Sequence, residues 1–258
     1  MLTDRSPGSR RSESCPFRHV NTERPCSKIP ARAFSLKEAM TIKVLELFSG
    51  TRSIGRAFER GGHEVFSIDY DESFPADLHE DIEFVTASDI LERFGRPDVI
   101  WASPDCTTYS IAAISHHRRK NPDTGSLEPA SDYAAKCDRV NLNMLRLIEE
   151  LKPRYWFIEN PRGGLRKMEW MRGKPRYTVT YCQYGDSRMK PTDIWTNHPE
   201  PSFKPPCKNG DPCHVRAPRG ARTGTQGIKG SRDRARIPDG LCSHIVAICE
   251  GKTAHDAL

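Results

Sequence analysis

The chain has 258 residues, enough for one substantial domain with a small appendage. Its hydrophobic fraction of 36% is low beside a charged fraction of 29%, so part of the chain is expected to lie outside a core. No apolar run is long enough to span a bilayer or act as a secretory signal, which predicts a soluble cytoplasmic protein without a membrane partner; a net charge of +6 permits a polyanionic partner without requiring one.

Residues 1–40 are polar and arginine-rich without apolar periodicity, and are expected to be a disordered extension, with Met40 a candidate start. Order begins at Thr41. Ile42–Phe48 reads as a buried strand, and Ser53 is placed to cap a helix carrying Ile54, Ala57 and Phe58, which Gly61-Gly62 ends. A strand at His63–Ile68 stops at Asp69-Tyr70-Asp71. A third, Ile82–Thr86, leads through Ser88-Asp89 into a short helix to Phe94. A fourth, Asp98–Ala102, runs into Ser103-Pro104-Asp105-Cys106.

Residues 104–130 read as a long loop with turn chemistry at Asn121–Gly125, the length of a functional lid. Val140, Met144, Leu147, Ile148 and Leu151 then mark one face of a helix that Pro153 closes. Tyr155–Ile158 predicts a strand delivering Glu159-Asn160-Pro161, and strands are expected at Tyr177–Gln183 and Asp193–Thr196. Ile237–Cys249 reads as a closing helix packed through Leu241, Ile245 and Ile248.

Alternating strands and helices predict an α/β fold, a mostly parallel sheet with helices on both faces. Ligands of such sheets bind beyond the carboxyl ends of the strands. Gly50, Asp69, Asp89, Cys106 and Glu159 all fall at predicted strand ends, a convergence that points to one site.

LELFSGTRSIG (45–55), SIDYD (67–71), SDI (88–90), SPDCTTYS (103–110), ENP (159–161) and QYGDSRMKPT (183–192), in that order, resemble the cytosine-5 DNA methyltransferases, particularly the compact versions of phages and prophages. The resemblance covers roughly residues 42–196. It implies a Rossmann-like methyltransferase fold over 41–196, a small irregular target-recognition region over 197–236 and a C-terminal helix over 237–258 packed on the catalytic domain. It implies methyl transfer from S-adenosylmethionine to a flipped-out cytosine of double-stranded DNA, by a monomer encoded by a phage or its bacterial host. Transfer-RNA methylation and a catalytically silent DNA-binding relative are the alternatives.

Carbon 5 of cytosine is too electron-poor to attack a methyl donor until a thiolate adds at carbon 6, and that thiolate needs surroundings that favour it. By resemblance, Cys106 is the nucleophile, Glu159 faces ring nitrogen 3, and Asn160 braces the cysteine loop. Arg188, with Lys190 or Thr192, would hold the base carbonyl or a phosphate. Phe48, Ser49 and Gly50 would approach the methionine part of the cofactor, and Ile54 and Pro104 are further cofactor-binding candidates. Asp69 would take the ribose hydroxyls, Tyr70 the adenine face, and Asp89 and Ile90 the adenine edge. The sequence departs from the family pattern at Asp105, beside the cysteine, and at Arg52, which interrupts the glycine-rich turn.

His116–Lys120 reads either as a solvated charge run or as a phosphate grip. Nine cysteines, an odd number without repeated spacing, argue for reduced thiols. Cys207 and Cys213-His214, with Cys182 upstream, form a candidate zinc set in a region short of core, and Cys242 and His244 lie further downstream. Arg216–Lys229 offers flexible donors for DNA, or is a basic linker.

Overall fold

The structure, a computed structural model, describes residues 40–216 and 230–252. The N-terminal extension and nearly all of the basic stretch expected to meet DNA therefore lie outside the described residues. In chain order the elements are β1 (Lys43–Leu47), α1 (Ser53–Arg60), β2 (Glu64–Asp69), β3 (Leu78–His79), α2 (Ala87–Arg93), β4 (Val99–Ala102), α3 (Ile114–His117), β5 (Arg118–Lys120), β6 (Leu127–Pro129), α4 (Asp132–Leu151), β7 (Tyr155–Pro161), β8 (Arg176–Thr180), β9 (Pro191–Thr196), α5 (Ser231–Ala235) and α6 (Asp239–Cys249). No helix among the described residues is long and apolar enough to cross a membrane.

Seven strands form one sheet in the order β3-β2-β1-β4-β7-β9-β8. The pairs from β3 to β7 are parallel, whereas β9 runs antiparallel to both β7 and β8. The strand order turns outward in both directions from the β1–β4 pair, which puts the ligand crevice at the carboxyl ends of those two strands.

The period of two sends alternate residues to opposite faces, each with its own core. Val44, Val99, Trp101, Phe157 and Ile194 pack with Ile54 and Phe58 of α1 and Leu241 and Ile245 of α6. Leu45, Leu47, Ile100, Ala102, Ile158 and Trp195 pack with Ile90 of α2 and Met144, Leu147 and Leu151 of α4. Helices thus cover both faces, and the fold is the Rossmann-like class that the sequence predicts. Ser131 caps α4 by accepting from the Ala134 N–H, and Lys152, in the left-handed region, ends it before Pro153. Two glycines allow close packing: a Cβ at Gly55 would strike the buried Glu46 carboxylate, and one at Gly163 the Tyr109 carbonyl.

Several local expectations are corrected. Ile82–Thr86 is no strand: Ile82 and Val85 are buried three apart around a turn, and the Asn143 side chain of α4 takes their carbonyls (2.5 and 2.9 Å) in place of a ladder. The third strand is the two-residue β3. Residues 104–130 are not open loop but a short helix and the β5–β6 hairpin, whose turn is the predicted Asn121–Gly125 segment. The strand expected to reach Gln183 stops at Thr180 and becomes a 3₁₀ turn over Tyr181–Tyr184. Ser53 is the first helical residue of α1 and not its cap; left-handed Arg52 precedes it.

Candidate active site

Cys106 follows the carboxyl end of β4 and is half-buried, at the entry to a 3₁₀ turn over Thr107–Tyr109. Glu159 and Asn160, both buried, lie on the last turns of pleat in β7. Asn160 Nδ2 donates to the Pro104 carbonyl (2.8 Å), which ties the cysteine loop to β7. The Glu159 carboxylate accepts from the Tyr181 hydroxyl (2.9 Å) and from Ser103, itself held by Trp101 Nε1 (2.8 Å). These side-chain links tie the cysteine loop, β7 and the turn after β8 to one another.

The charges are arranged to oppose one another. Burial pushes the Glu159 carboxyl upward, against the Lys190 ammonium and the two hydroxyl donors, favouring the neutral acid. Burial pushes Lys190 downward, against Glu159 and Cys106. Burial also pushes the Cys106 thiol up to about 11, and Asp105 and Glu159 add to the rise while Lys190 opposes it. Asp105 is held by the Thr107 N–H (2.6 Å) and the Tyr133 hydroxyl. Its charge still reaches the sulfur, so the departure at this position works against the thiolate.

Lys190 sits at φ 25° over the Tyr181 ring (4.5 Å), its Nζ donating to the Arg234 carbonyl (3.0 Å). Arg188, expected to reach the base, is instead buried and clamped: Nε and Nη2 engage Asp186, and Nη1 donates to the Asp233 carbonyl (3.1 Å). It braces the 186–190 turn against the chain before α6, and the cation that faces the cysteine is Lys190. Thr192 is fully buried, its hydroxyl bonded to the Lys190 carbonyl.

On the β1 side, Phe48 and Gly50 both adopt positive φ (57° and 48°), the backbone signature of a tight strand-to-helix turn. The Ser49 hydroxyl is buried without a partner among the described residues. Asp69 ends β2 and accepts from the Gly50 and Asp71 N–H groups (2.8 and 2.9 Å), which aims its carboxylate along the rim. Tyr70 next to it is 68% exposed. Asp89 forms a capping box with Thr86 at the start of α2. Ile54 and Ile90 are fully buried in the two cores, and Pro104 is buried at the end of β4; the isoleucines support the rim from beneath.

Arg118 is neither solvated nor available to phosphate. Its buried guanidinium stacks over Tyr109 (4.0 Å), pairs with Asp138 of α4 (2.8 and 3.1 Å) and holds the Thr108 carbonyl and hydroxyl (both 3.0 Å). It fastens the turn after Cys106 to α4. Sequence reading missed this, along with Tyr181 and Ser103; period-two burial in the hairpin is the only signal that separates Arg118 from Arg119. A concavity of about 230 Å³ between α1 and α6, lined by Ala57, Arg60, Val246 and Glu250, contains none of the rim residues.

The metal candidates Cys182, Cys207, Cys213 and His214 come together, their ligand atoms all within 4.8 Å of one another. Cys242 and His244 do not join them: both are buried, His244 bonded to the Pro201 carbonyl (2.8 Å).

No family model matches the chain. A protein of Frog virus 3 (isolate Goorha) described as a probable DNA (cytosine-5)-methyltransferase is 29% identical over 223 residues, which is 81% of this chain and all of the viral protein. The chain is thus similar along most of its length to a viral protein described as a probable cytosine-5 DNA methyltransferase. Among solved structures, the Entamoeba histolytica methyltransferase EhMeth is 14% identical with a TM-score of 0.46, over 61% of this chain and 52% of that one. The Schizosaccharomyces pombe Dnmt2 methyltransferase is 16% identical with a TM-score of 0.39, over 60% and 48%. The chain thus matches about half the length of these solved methyltransferases.

Proposed function

We propose that this chain transfers a methyl group from S-adenosylmethionine to carbon 5 of cytosine in double-stranded DNA, through a bond between Cys106 and the base. The observation that carries the reading is the placement of Cys106 just past β4 and of Glu159 at the end of β7, with Asn160 tying the cysteine loop to β7 through the Pro104 carbonyl (2.8 Å).

The donor set on the β1 side suits S-adenosylmethionine. An unpartnered buried hydroxyl at Ser49, an oriented carboxylate at Asp69 and an exposed ring at Tyr70 offer partners for polar groups, ribose hydroxyls and a purine face. When bound, S-adenosylmethionine supplies an electrophilic methyl group.

Inside a duplex the target carbon is unreachable, so the base must leave the stack to meet the rim. The Cys106 sulfur adds to carbon 6 after losing its proton, and Lys190 steadies the thiolate. Glu159, whose carboxyl burial pushes upward, hands a hydrogen bond or proton to ring nitrogen 3, where charge gathers as the sulfur bonds. Carbon 5 becomes nucleophilic and takes the methyl group. Loss of its proton then expels the cysteine and restores the ring. Every group named comes from one chain, so a monomer suffices.

Incubation with methyl-labelled S-adenosylmethionine and either duplex DNA or RNA tests the substrate. Label in DNA at carbon 5 of cytosine is expected; label in RNA alone, or in neither, contradicts the reading.

A further inference from the structure

We infer that Cys182, Cys207, Cys213 and His214 hold a structural zinc ion that staples the 204–216 segment to the catalytic sheet. Cys182 lies in the 3₁₀ turn after β8, and the other three lie on a segment without helix or strand.

Tetrahedral zinc with Zn–S about 2.3 Å and Zn–N about 2.0 Å separates its ligand atoms by roughly 3.3–3.8 Å. The observed separations are 3.2 Å for Cys182–Cys207, 3.6 Å for Cys182–Cys213, 3.6 Å for Cys207–His214 Nδ1 and 3.5 Å for Cys213–His214 Nδ1. Four of the six separations thus lie close to those of a tetrahedral zinc site, and all six are within 4.8 Å. Three thiolates and an imidazole in that geometry select zinc over hard cations such as magnesium or calcium. The shortest sulfur pair is well beyond the ~2.05 Å of a disulfide.

The segment needs such a staple. No residue from 202 to 216 is buried, and Val215, its one large aliphatic side chain, is 65% exposed. Its other ties include backbone bonds from Lys204 N–H to the Tyr184 hydroxyl (2.8 Å), Cys207 N–H to Thr180 Oγ1 (3.0 Å) and Val215 N–H to the Ser187 carbonyl (2.8 Å), and ring contacts of Phe203 and Lys204 at its start. A region too small for a core gains its order from metal coordination, which releases the thiol protons to solvent. The adjoining residue, Tyr181, donates to Glu159, so the staple anchors the turn that positions the acid. The inference does not rest on the methyltransferase reading, because metal content is measured independently of methyl transfer.

Elemental analysis of the full chain purified without chelator should give one zinc per chain. Cobalt(II) in its place should show the thiolate charge-transfer and tetrahedral d–d bands of a three-sulfur, one-nitrogen site, a readout that needs no variant. Cys207→Ser and Cys213→Ser should lose the equivalent of zinc, whereas Cys249→Ala, outside the cluster, should keep it. Chelation should speed tryptic cleavage after Lys208. Absence of zinc when the chain is expressed and purified with zinc supplied would overturn the inference. So would zinc retained by the Cys207→Ser/Cys213→Ser double variant, or mass evidence of a Cys182–Cys207 disulfide.

Discussion

The two sides of the sheet are held together differently. From β1 through β4 to β7 the strands are parallel, and their residues alternate between two apolar cores. Beyond β7 the strands turn antiparallel, and although β9 still sends Ile194 and Trp195 into the two cores, buried polar pairs join the apolar contacts. Fully buried Asp193 of β9 is gripped by Arg166 and by Thr178 (2.8 Å), Arg188 is clamped to Asp186, and four metal-type ligands gather beyond β8. Apolar burial tolerates substitution of one hydrocarbon by another, whereas a buried polar pair fails when either member is removed. The candidate site straddles this boundary. Cys106 rides on the apolar half, and Lys190 and Tyr181 come from the polar half.

Removing groups from either side should expose that division. Glu159→Gln, which keeps the shape but not the acid, is expected to slow methyl transfer by roughly 10²–10⁴-fold with little loss of stability. Wild-type activity should stop rising with pH above the raised value of this carboxyl, because loss of the neutral acid offsets the growing Cys106 thiolate fraction, whereas the Gln variant should keep rising; a pH–rate profile of both checks it.

Arg118→Met strands Asp138 under the cysteine loop, and about 3–5 kcal/mol of stability should be lost, read as a lower denaturant midpoint. Retention of the wild-type midpoint would show that the loop does not depend on this pair. Gly163→Ala forces a methyl group onto the Tyr109 carbonyl and should cost about 1–3 kcal/mol while displacing the turn after Cys106. A parallel loss of covalent adduct formation would sharpen the link between that contact and the nucleophile.

The smallest effect concerns Asp105. Burial and then the Asp105 charge raise the Cys106 thiol, so alkylation of the free protein should quicken as pH climbs toward about 11. Asp105→Asn should lower that value and speed iodoacetamide alkylation at pH 8 by roughly a few-fold. Slower alkylation would mean that the carboxylate's hold on Thr107 and Tyr133 outweighs its charge.

The parallel half was legible in the sequence because its signals are periodic. Apolar runs at Ile42–Phe48, Asp98–Ala102 and Tyr155–Ile158 each end in a chemically distinctive residue, and the α4 face repeats as a helix must. The polar half was legible only as ligand chemistry: the cysteines and His214 stood out as a set, but their meeting depends on a turn after β8 that the apolar pattern extended as strand. Arg118 and Arg188 were misplaced for one reason. A charged residue announces affinity for an opposite charge, and composition cannot say whether that charge is a phosphate outside or an aspartate inside. Ile82–Thr86 failed because two buried residues three apart imitate a strand edge when the partner supplying their hydrogen bonds, Asn143, is distant in sequence.

The central claim is that the Cys106 sulfur bonds to the pyrimidine. Duplex DNA carrying 5-fluorocytosine cannot release the enzyme once carbon 5 is methylated, so with S-adenosylmethionine present a protein–DNA adduct should survive denaturing electrophoresis and map by mass to the Cys106 peptide. An adduct undiminished in Cys106→Ser, or none from wild-type protein that methylates the unfluorinated duplex, would contradict it.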